Sequence, residues 1–530
     1  MKIALASTRG DRMPFIRRLK GFVRRRASLL ADFRRARDGN VAMIFALSLI
    51  PICIAAGAGL DMARAMVVKS NMTEALDAAG LAVGATAGLS QDQMNSVAQN
   101  YFNANFRSDS SYGTPAPVTV TQSGQDVVLS TSVNMPTTLM EIAGIHTVPI
   151  GVSITVTREF KNLEIALVLD NTGSMAGSKI SALKTAASNF VDTMAAVAGS
   201  SPLPNPVKIS VVPYTMTVNV GAAYKSASWM SGVMPTAYGS DVFTKSNANR
   251  FTLLSQMGVS WQGCVEIRPH PYDVQDTAPS SGATLYVPFF SPDEPDDSNQ
   301  GYVNSYLSDY SGDKNATWQV KQGDPLKYTK SPKSGTNGIG YQFGPNAGCS
   351  LQPLIRLTTD FSSVKQTING MVAGGDTIIH AGFAWGWNTL SPNAPFADGA
   401  PYNDGKTMKI MILMTDGENH NVDTSSPDDS VYGGAGYIWQ GRLGITSGSL
   451  DQRRVALDNL LIQACTNAKA EGVIIYSIMF DVANDAQDAP AMMQQCATSA
   501  QTYYLVQNVG DLTGTFQQIA NSIQNLHISK

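Results

Sequence analysis

Asp170, Thr172 and Ser174 stand two residues apart in the segment Asp-Asn-Thr-Gly-Ser-Met. One carboxylate and two hydroxyls at that spacing form an oxygen-rich set, and hard divalent cations prefer oxygen ligands. Two later segments carry matching groups. Gly374-Gly375-Asp376-Thr377 offers a hydroxyl at Thr377. Met-Thr-Asp-Gly delivers a second carboxylate at Asp416, followed by Glu418 and Asn419. Read together, Asp170, Thr172, Ser174, Thr377 and Asp416 are a candidate site for Mg2+, or for Mn2+ or Ca2+.

Such a site needs elements that bring three distant segments to one place. Residues 163–170 are a near-continuous apolar run, as expected of a parallel strand buried on both faces. A helix over 178–197 and a strand over 207–215 come next. Further strands are expected at 409–416, 472–482 and 502–509. Further helices are expected at 378–389, 451–470, 488–499 and 511–526. This alternation predicts a doubly wound, Rossmann-like α/β sheet, in which ligands bind outside the carboxyl ends of the strands. Asp170 and Asp416 both end strands. Two inserts interrupt the pattern, at about 216–355 and 420–450. A structureless run of 140 residues in a compact domain is improbable, so the first insert is expected to fold. Its aromatics (Tyr286, Phe289, Phe290, Tyr302, Tyr306, Tyr310) suit either a partner surface or the insert's own core. Its acidic stretch Ser-Pro-Asp-Glu-Pro-Asp-Asp-Ser-Asn, 291–299, lacks the ligand spacing of an EF-hand and reads as a solvated loop.

Charge separates the N-terminus from the rest. Residues 1–40 hold twelve Lys/Arg and three Asp/Glu, a net +9 in a chain of net −3, so the other 490 residues carry −12. An acidic body excludes a nucleic-acid-binding domain with its positive charge on the folded part. Val41–Leu60 contains 20 uncharged residues, and a helix of that length spans a hydrocarbon core of ~30 Å. The arginines precede it, so the positive-inside rule keeps 1–40 cytoplasmic and exports residues 61–530. The expected order is a basic segment 1–40, a transmembrane helix 41–60, an Ala-rich helical stalk 61–110, a small β-rich unit 111–158, and the large domain 159–530.

Five cysteines are present. Cys53 lies in the apolar run. The other four suit an oxidising compartment, with Cys264–Cys349 closing the first insert and Cys465–Cys496 flanking the strand at 472–482. By loop entropy the first bond is worth ~4 kcal/mol.

The order Asp-Asn-Thr-Gly-Ser-Met after a strand, Gly-Gly-Asp-Thr before a helix, and Met-Thr-Asp-Gly after a later strand resembles the metal-ion-dependent adhesion site of von Willebrand factor A domains. The resemblance covers about 160–220 and 355–526. It implies that Thr172, Ser174 and Thr377 supply hydroxyl ligands, that Asp170 and Asp416 bind directly or through water, and that one position stays open for a partner's carboxylate. Thr172 stands where that family usually has Ser, which keeps the hydroxyl. The anchor region, Arg-Arg-Ala-Arg-Asp-Gly-Asn-Val-Ala-Met-Ile-Phe-Ala-Leu-Ser-Leu-Ile-Pro-Ile, resembles TadG-type proteins of the Tad (Flp) pilus system. Those join this anchor to a C-terminal von Willebrand A domain. Gly39 is similar to a prepilin cleavage site, but Ile44 stands where pilins carry Glu, so an uncleaved anchor is expected. Together the resemblances imply a non-enzymatic component of pilus assembly or adhesion in the bacterial inner membrane. Its large domain would be periplasmic or surface-exposed, and its metal would bridge to an acidic residue of a protein partner, a pilus component or pilin. No nucleic acid and no small-molecule substrate are expected.

Two alternatives remain. Asp170-Asn-Thr-Gly-Ser also resembles the nucleophile loop of haloacid-dehalogenase-type phosphotransferases, which carry a second acid where Thr172 stands. A purely structural anchor with a stabilising metal is the other. A serine hydrolase is excluded, because Ser174 lacks the G-x-S-x-G context. The histidines (146, 270, 380, 420, 527) show no ligand spacing, and only His420, next to the Asp416 loop, invites attention.

Overall fold

The computed structural model describes residues 39–86, 89–235, 241–243, 248–333, 344–480 and 488–529. Residues 1–38 of the basic segment, with all of its arginines, lie outside the described residues. The chain divides into two compact units, residues 1–83 with 89–156, and 84–88 with 157–530.

The smaller unit starts with helix α1, Gly39–Gly84, which runs unbroken through Pro51. It is long and apolar enough to cross a membrane. Its second half has a buried face at Ala65, Val68, Met72, Ala75, Leu76, Ala79 and Val83, the three- and four-residue spacing of one helical stripe. Helix α2, Gln91–Asn105, starts in a capping box between Ser90 and Gln93. Strands β1 (Thr119–Ser123), β2 (Asp126–Pro136) and β3 (Thr147–Thr157) form a three-stranded sheet in that order, with β1 and β2 antiparallel. Inward residues of β2 alternate along the strand, Val127, Leu129, Val133 and Met135, and meet the stripe of α1 and Met94, Ala98 and Phe102 of α2 in one core. The expectation of a stalk over 61–110 followed by a separate β unit over 111–158 is corrected here. The Ala-rich helix is one wall of the β unit's own core, because alanine and Gly80 let the sheet approach closely. A Cβ at Gly80 would fall 2.6 Å from Ile154.

The larger unit contains strands β4 (Asn162–Asp170), β5 (Val207–Tyr214), β6 (Thr407–Thr415), β7 (Ile474–Phe480) and β8 (Tyr503–Val506). They pair in parallel in the order β8-β7-β6-β4-β5. Alternate residues of β4 serve opposite faces. Leu163, Ile165, Leu167 and Leu169 meet helices α3 (Ser178–Ser200), α4 (Phe361–Gly370) and α8 (Leu512–His527). Ala166 and Val168 share a core with residues of α5 (Ile379–Leu390), α6 (Leu450–Ala470) and α7 (Ala489–Cys496). The doubly wound sheet expected from the sequence is therefore present. Beyond β5 the sheet continues with short antiparallel strands, Val218–Asn219, Cys264–Val265 and Ile355–Thr358, which the sequence pattern does not reveal.

The first insert folds around aromatics. Trp229, Phe243, Trp261, Tyr286, Phe290, Tyr306 and Tyr328 are buried and continuous with the core on the α5 face. Phe289 is buried too, whereas Tyr302 and Tyr310 are half-buried. The two inserts also hold each other. Arg250 and Arg442 both pair with Glu266, and Trp318 meets Trp439 edge-on. The reading of 291–299 as a solvated loop is corrected in its first half. Asp293 is buried with Lys327 at 2.6 Å, and the Glu294 carboxylate accepts the backbone N–H groups of Val303 and Asn304. Both expected disulfides are formed, Cys264–Cys349 and Cys465–Cys496, with Cα atoms 5.9 and 5.1 Å apart.

Candidate functional site

Strand register places the chemistry. Asp170 ends β4 level with Tyr214 on β5, and Met414 of β6 lies beside Leu169. The carboxyl ends of three neighbouring strands thus deliver Asp170, Tyr214, Thr415 and Asp416 to one edge. The loop after β4 is fixed by backbone bonds to the segment before α5. Gly173 N–H donates to Gly375 C=O at 2.9 Å, and Gly374 N–H donates to Asn171 C=O at 2.8 Å. Gly375 has φ +88, and a Cβ there would lie 3.3 Å from the Thr215 side chain, so glycine suits this junction on both counts.

A continuous polar chain runs through the site. Asp170 Oδ1 accepts from Thr172 Oγ1 at 2.6 Å and from the Thr172 N–H at 2.7 Å. Thr172 Oγ1 lies 3.0 Å from Ser174 Oγ. Ser174 Oγ donates to Asp416 Oδ1 at 2.6 Å, and Lys179 Nζ lies 3.0 Å from Asp416 Oδ2. On its other oxygen Asp170 accepts from Thr415 Oγ1 at 2.7 Å. Asp170 and Asp416 are both buried. Burial, and then the negative charge of Asp416, pushes the Asp170 carboxyl up to about 6.

Of the five residues read from the sequence, Asp170, Thr172, Ser174 and Asp416 are joined by this chain. Thr377 lines the same cleft as Thr172, Ser174, Gly374, Gly375, Asp376 and His420, about 460 Å³ in volume. The Thr377 carbonyl accepts the His420 N–H at 2.7 Å. The His420 ring sits 3.8 Å from Asp376, whose carboxylate raises the imidazole pKa. Thr415, Tyr214 and Lys179 were not found from the sequence. Two of them had a usable signal: Thr415 directly precedes Asp416, and Lys179 falls in the first turn of the helix after Ser174.

The donor set fits a hard divalent cation. Every candidate ligand atom is oxygen, and two buried carboxylates face one lysine, which leaves the pocket short of positive charge. Among the described residues no group of three or more His, Cys, Asp or Glu is placed to hold a metal. The hydroxyls of Thr172, Ser174 and Thr377 would therefore have to complete the set.

Residues 39–87 match the Tad family, described as Flp pilus-assembly TadE/G-like. No curated protein matches the sequence. Among solved structures, the vWF domain of the type V pili tip protein Mfa5 from Porphyromonas gingivalis is similar over 70% of this chain and 97% of its own, at 11% identity and TM-score 0.33. The pilus adhesin SpaC from Lactobacillus rhamnosus GG is similar over 77% of this chain at 11% identity and TM-score 0.32, and the match spans about a third of SpaC, 34%. The adhesive tip pilin GBS104 from Group B Streptococcus agalactiae is similar over 76% of this chain and 68% of its own, at 9% identity and TM-score 0.30.

Proposed function

We propose that this chain is a membrane-anchored component of pilus assembly or adhesion, whose large unit binds a divalent metal and, through it, an acidic group on a protein partner. Helix α1 anchors it in the bacterial inner membrane, with residues 1–40 in the cytoplasm and the large unit outside. The TadE/G-like match at 39–87 supports the setting. The supporting observation for the site is the chain from Asp170 through Thr172 and Ser174 to Asp416, two buried carboxylates linked by two hydroxyls at the edge of an open cleft.

Asp170, Thr172, Ser174, Thr377 and Asp416 would hold the metal, with Mg2+ the expected ion. When bound, it would supply a Lewis-acidic position for a carboxylate from outside. The protein's part is positioning. Thr415 and the Thr172 N–H fix the Asp170 carboxylate, and Lys179 offsets part of the charge on Asp416. The phosphotransferase alternative ranks second. Thr172 stands where its second acid is needed, and Asp170 is buried with both oxygens engaged.

Co-purification tests the partner claim. From cells expressing the full chain in Mg2+, a set of pilus proteins is expected to be captured. That set should be lost both on chelation with EDTA and in Asp170→Asn. Capture that survives both treatments would contradict a metal-bridged partner.

A further inference from the structure

The apolar run of α1 ends at Asp61, its first charge. In the folded unit that charge does not face outward. The Asp61 side chain is fully buried and accepts the backbone N–H groups of Thr138, Leu139 and Met140, at 2.9 to 3.1 Å. Arg64 turns the same way, to Asp61 and Thr138. With both charges directed inward, the exposed face of α1 stays apolar past Leu60, through Met62, Met66 and Val67.

The turn that Asp61 holds is apolar except for Glu141, whose exposed carboxylate lies 3.7 Å from His146. Residues 139–145 read Leu-Met-Glu-Ile-Ala-Gly-Ile. Leu139 packs on α1 at Gly57, where a Cβ would fall 2.6 Å from the Leu139 Cβ. Only glycine lets the turn sit so close, one helical turn inside the apolar run. Ile142 is 79% exposed and Ile145 is 44% exposed, so neither belongs to the unit's core.

We propose that the turn 139–145 is a second membrane contact, with Ile142 and Ile145 inserted among lipid acyl chains beside α1 at the outer edge of the bilayer. The occupant is lipid because the exposed Ile142 and Ile145 continue the exposed apolar surface of the helix, while Glu141 and His146 pair with each other at the level of the headgroups. Gly57 lies about 24 Å along the helix from Val41, near the far side of a ~30 Å hydrocarbon core. Asp61 then acts as a clamp. It removes its own charge from the bilayer edge and locks the turn against the helix, which fixes the height of the small unit above the membrane. This inference rests on the reading of α1 as a membrane anchor.

The test uses the full chain carrying Cys53→Ser, reconstituted in phosphatidylethanolamine–phosphatidylglycerol vesicles. A single environment-sensitive fluorophore is attached at Ile50→Cys, Ile142→Cys or Gln125→Cys. Position 125 lies in the exposed β1–β2 turn, at the end of the sheet where Val120 C=O accepts from Gln91 Nε2 at 2.7 Å, away from Gly57. Lipids with nitroxide-labelled acyl chains are the quencher. Strong quenching is expected at 50 and 142, and little at 125. Quenching at 50 with position 142 as dark to lipid as 125 would overturn the inference and leave the anchor standing. A blue-shifted but unquenched label at 142 would do the same and point to a protein cover. Absence of quenching at 50 would overturn the anchor reading and this inference together.

Discussion

The central sheet carries a buried charged cluster at each end, and the two are built differently. At the amino end Glu164 sits 2.7 Å from Lys409 and 3.5 Å from Lys208, and accepts the Ala400 N–H at 3.0 Å. Lys409 also donates to the Leu390 carbonyl at 2.6 Å. One acid meets two bases, and the cluster is closed by protein groups alone. At the carboxyl end two acids, Asp170 and Asp416, meet one lysine and a set of hydroxyls beside a cleft. The first arrangement is a structural ion pair. The second is incomplete in charge, which is what a cation site should look like before loading.

The largest contrast should come from removing one charge at each end. Lys409→Met leaves Glu164 with only the more distant Lys208, and breaking a buried pair costs about 3–5 kcal/mol. Urea unfolding of the detergent-solubilised chain should show that loss, with Mg2+ affinity unchanged. Asp170→Asn should stay within about 1 kcal/mol of the wild type without metal, because its amide can still pair with Thr172 and Thr415 and a like-charge repulsion disappears. An equally large loss from both substitutions would erase the distinction between the two ends.

Mg2+ itself should separate them next. At a hundredfold excess over Kd, a ligand that binds only the folded state stabilises by about 2.7 kcal/mol. Thermal unfolding of the wild type and of Lys409→Met should shift upward by similar free energies, and that of Asp170→Asn should not shift. The pH dependence has a definite sign. The folded pKa of Asp170, about 6, is above the ordinary 3.8, so the folded state holds this proton more tightly. In metal-free protein the associated stability is fully present below about pH 4 and is lost as pH rises through about 6. Asp170→Asn should flatten that part of the profile, measured by urea midpoints across that same range. The smallest effect is expected from Lys179→Met. Removing a cation that competes for Asp416 should tighten Mg2+ binding a few-fold, and weaker binding would show that the lysine assists the site instead.

The strands of this sheet were legible because β4 and β6 are buried on both faces and read as unbroken apolar runs. The order of motifs then placed Asp170 and Asp416 at their ends. Tyr214 was not legible as a site residue, because only strand register brings it beside Asp170; Thr415 was overlooked although it directly precedes Asp416. The two-residue strands Val218–Asn219 and Cys264–Val265 are too short to carry a period. The first insert was expected to fold, yet its aromatic core has no regular spacing, so burial of Tyr286 and Phe290 could not be told from display. In the small unit, alanine and glycine predicted a helix but no visible face. The contact of α1 with β3 depends on what Gly80 and its neighbours lack, and no sequence signal shows that Asp61 turns inward.

The carboxyl-end cluster as a metal site is the central claim. Calorimetric titration of Mg2+ into the detergent-solubilised chain, wild type against Asp170→Asn, tests it most directly. One Mg2+ per wild-type chain and at least a hundredfold weaker binding to Asp170→Asn is the predicted result. Equal binding by both proteins, or no binding by the wild type, would contradict it.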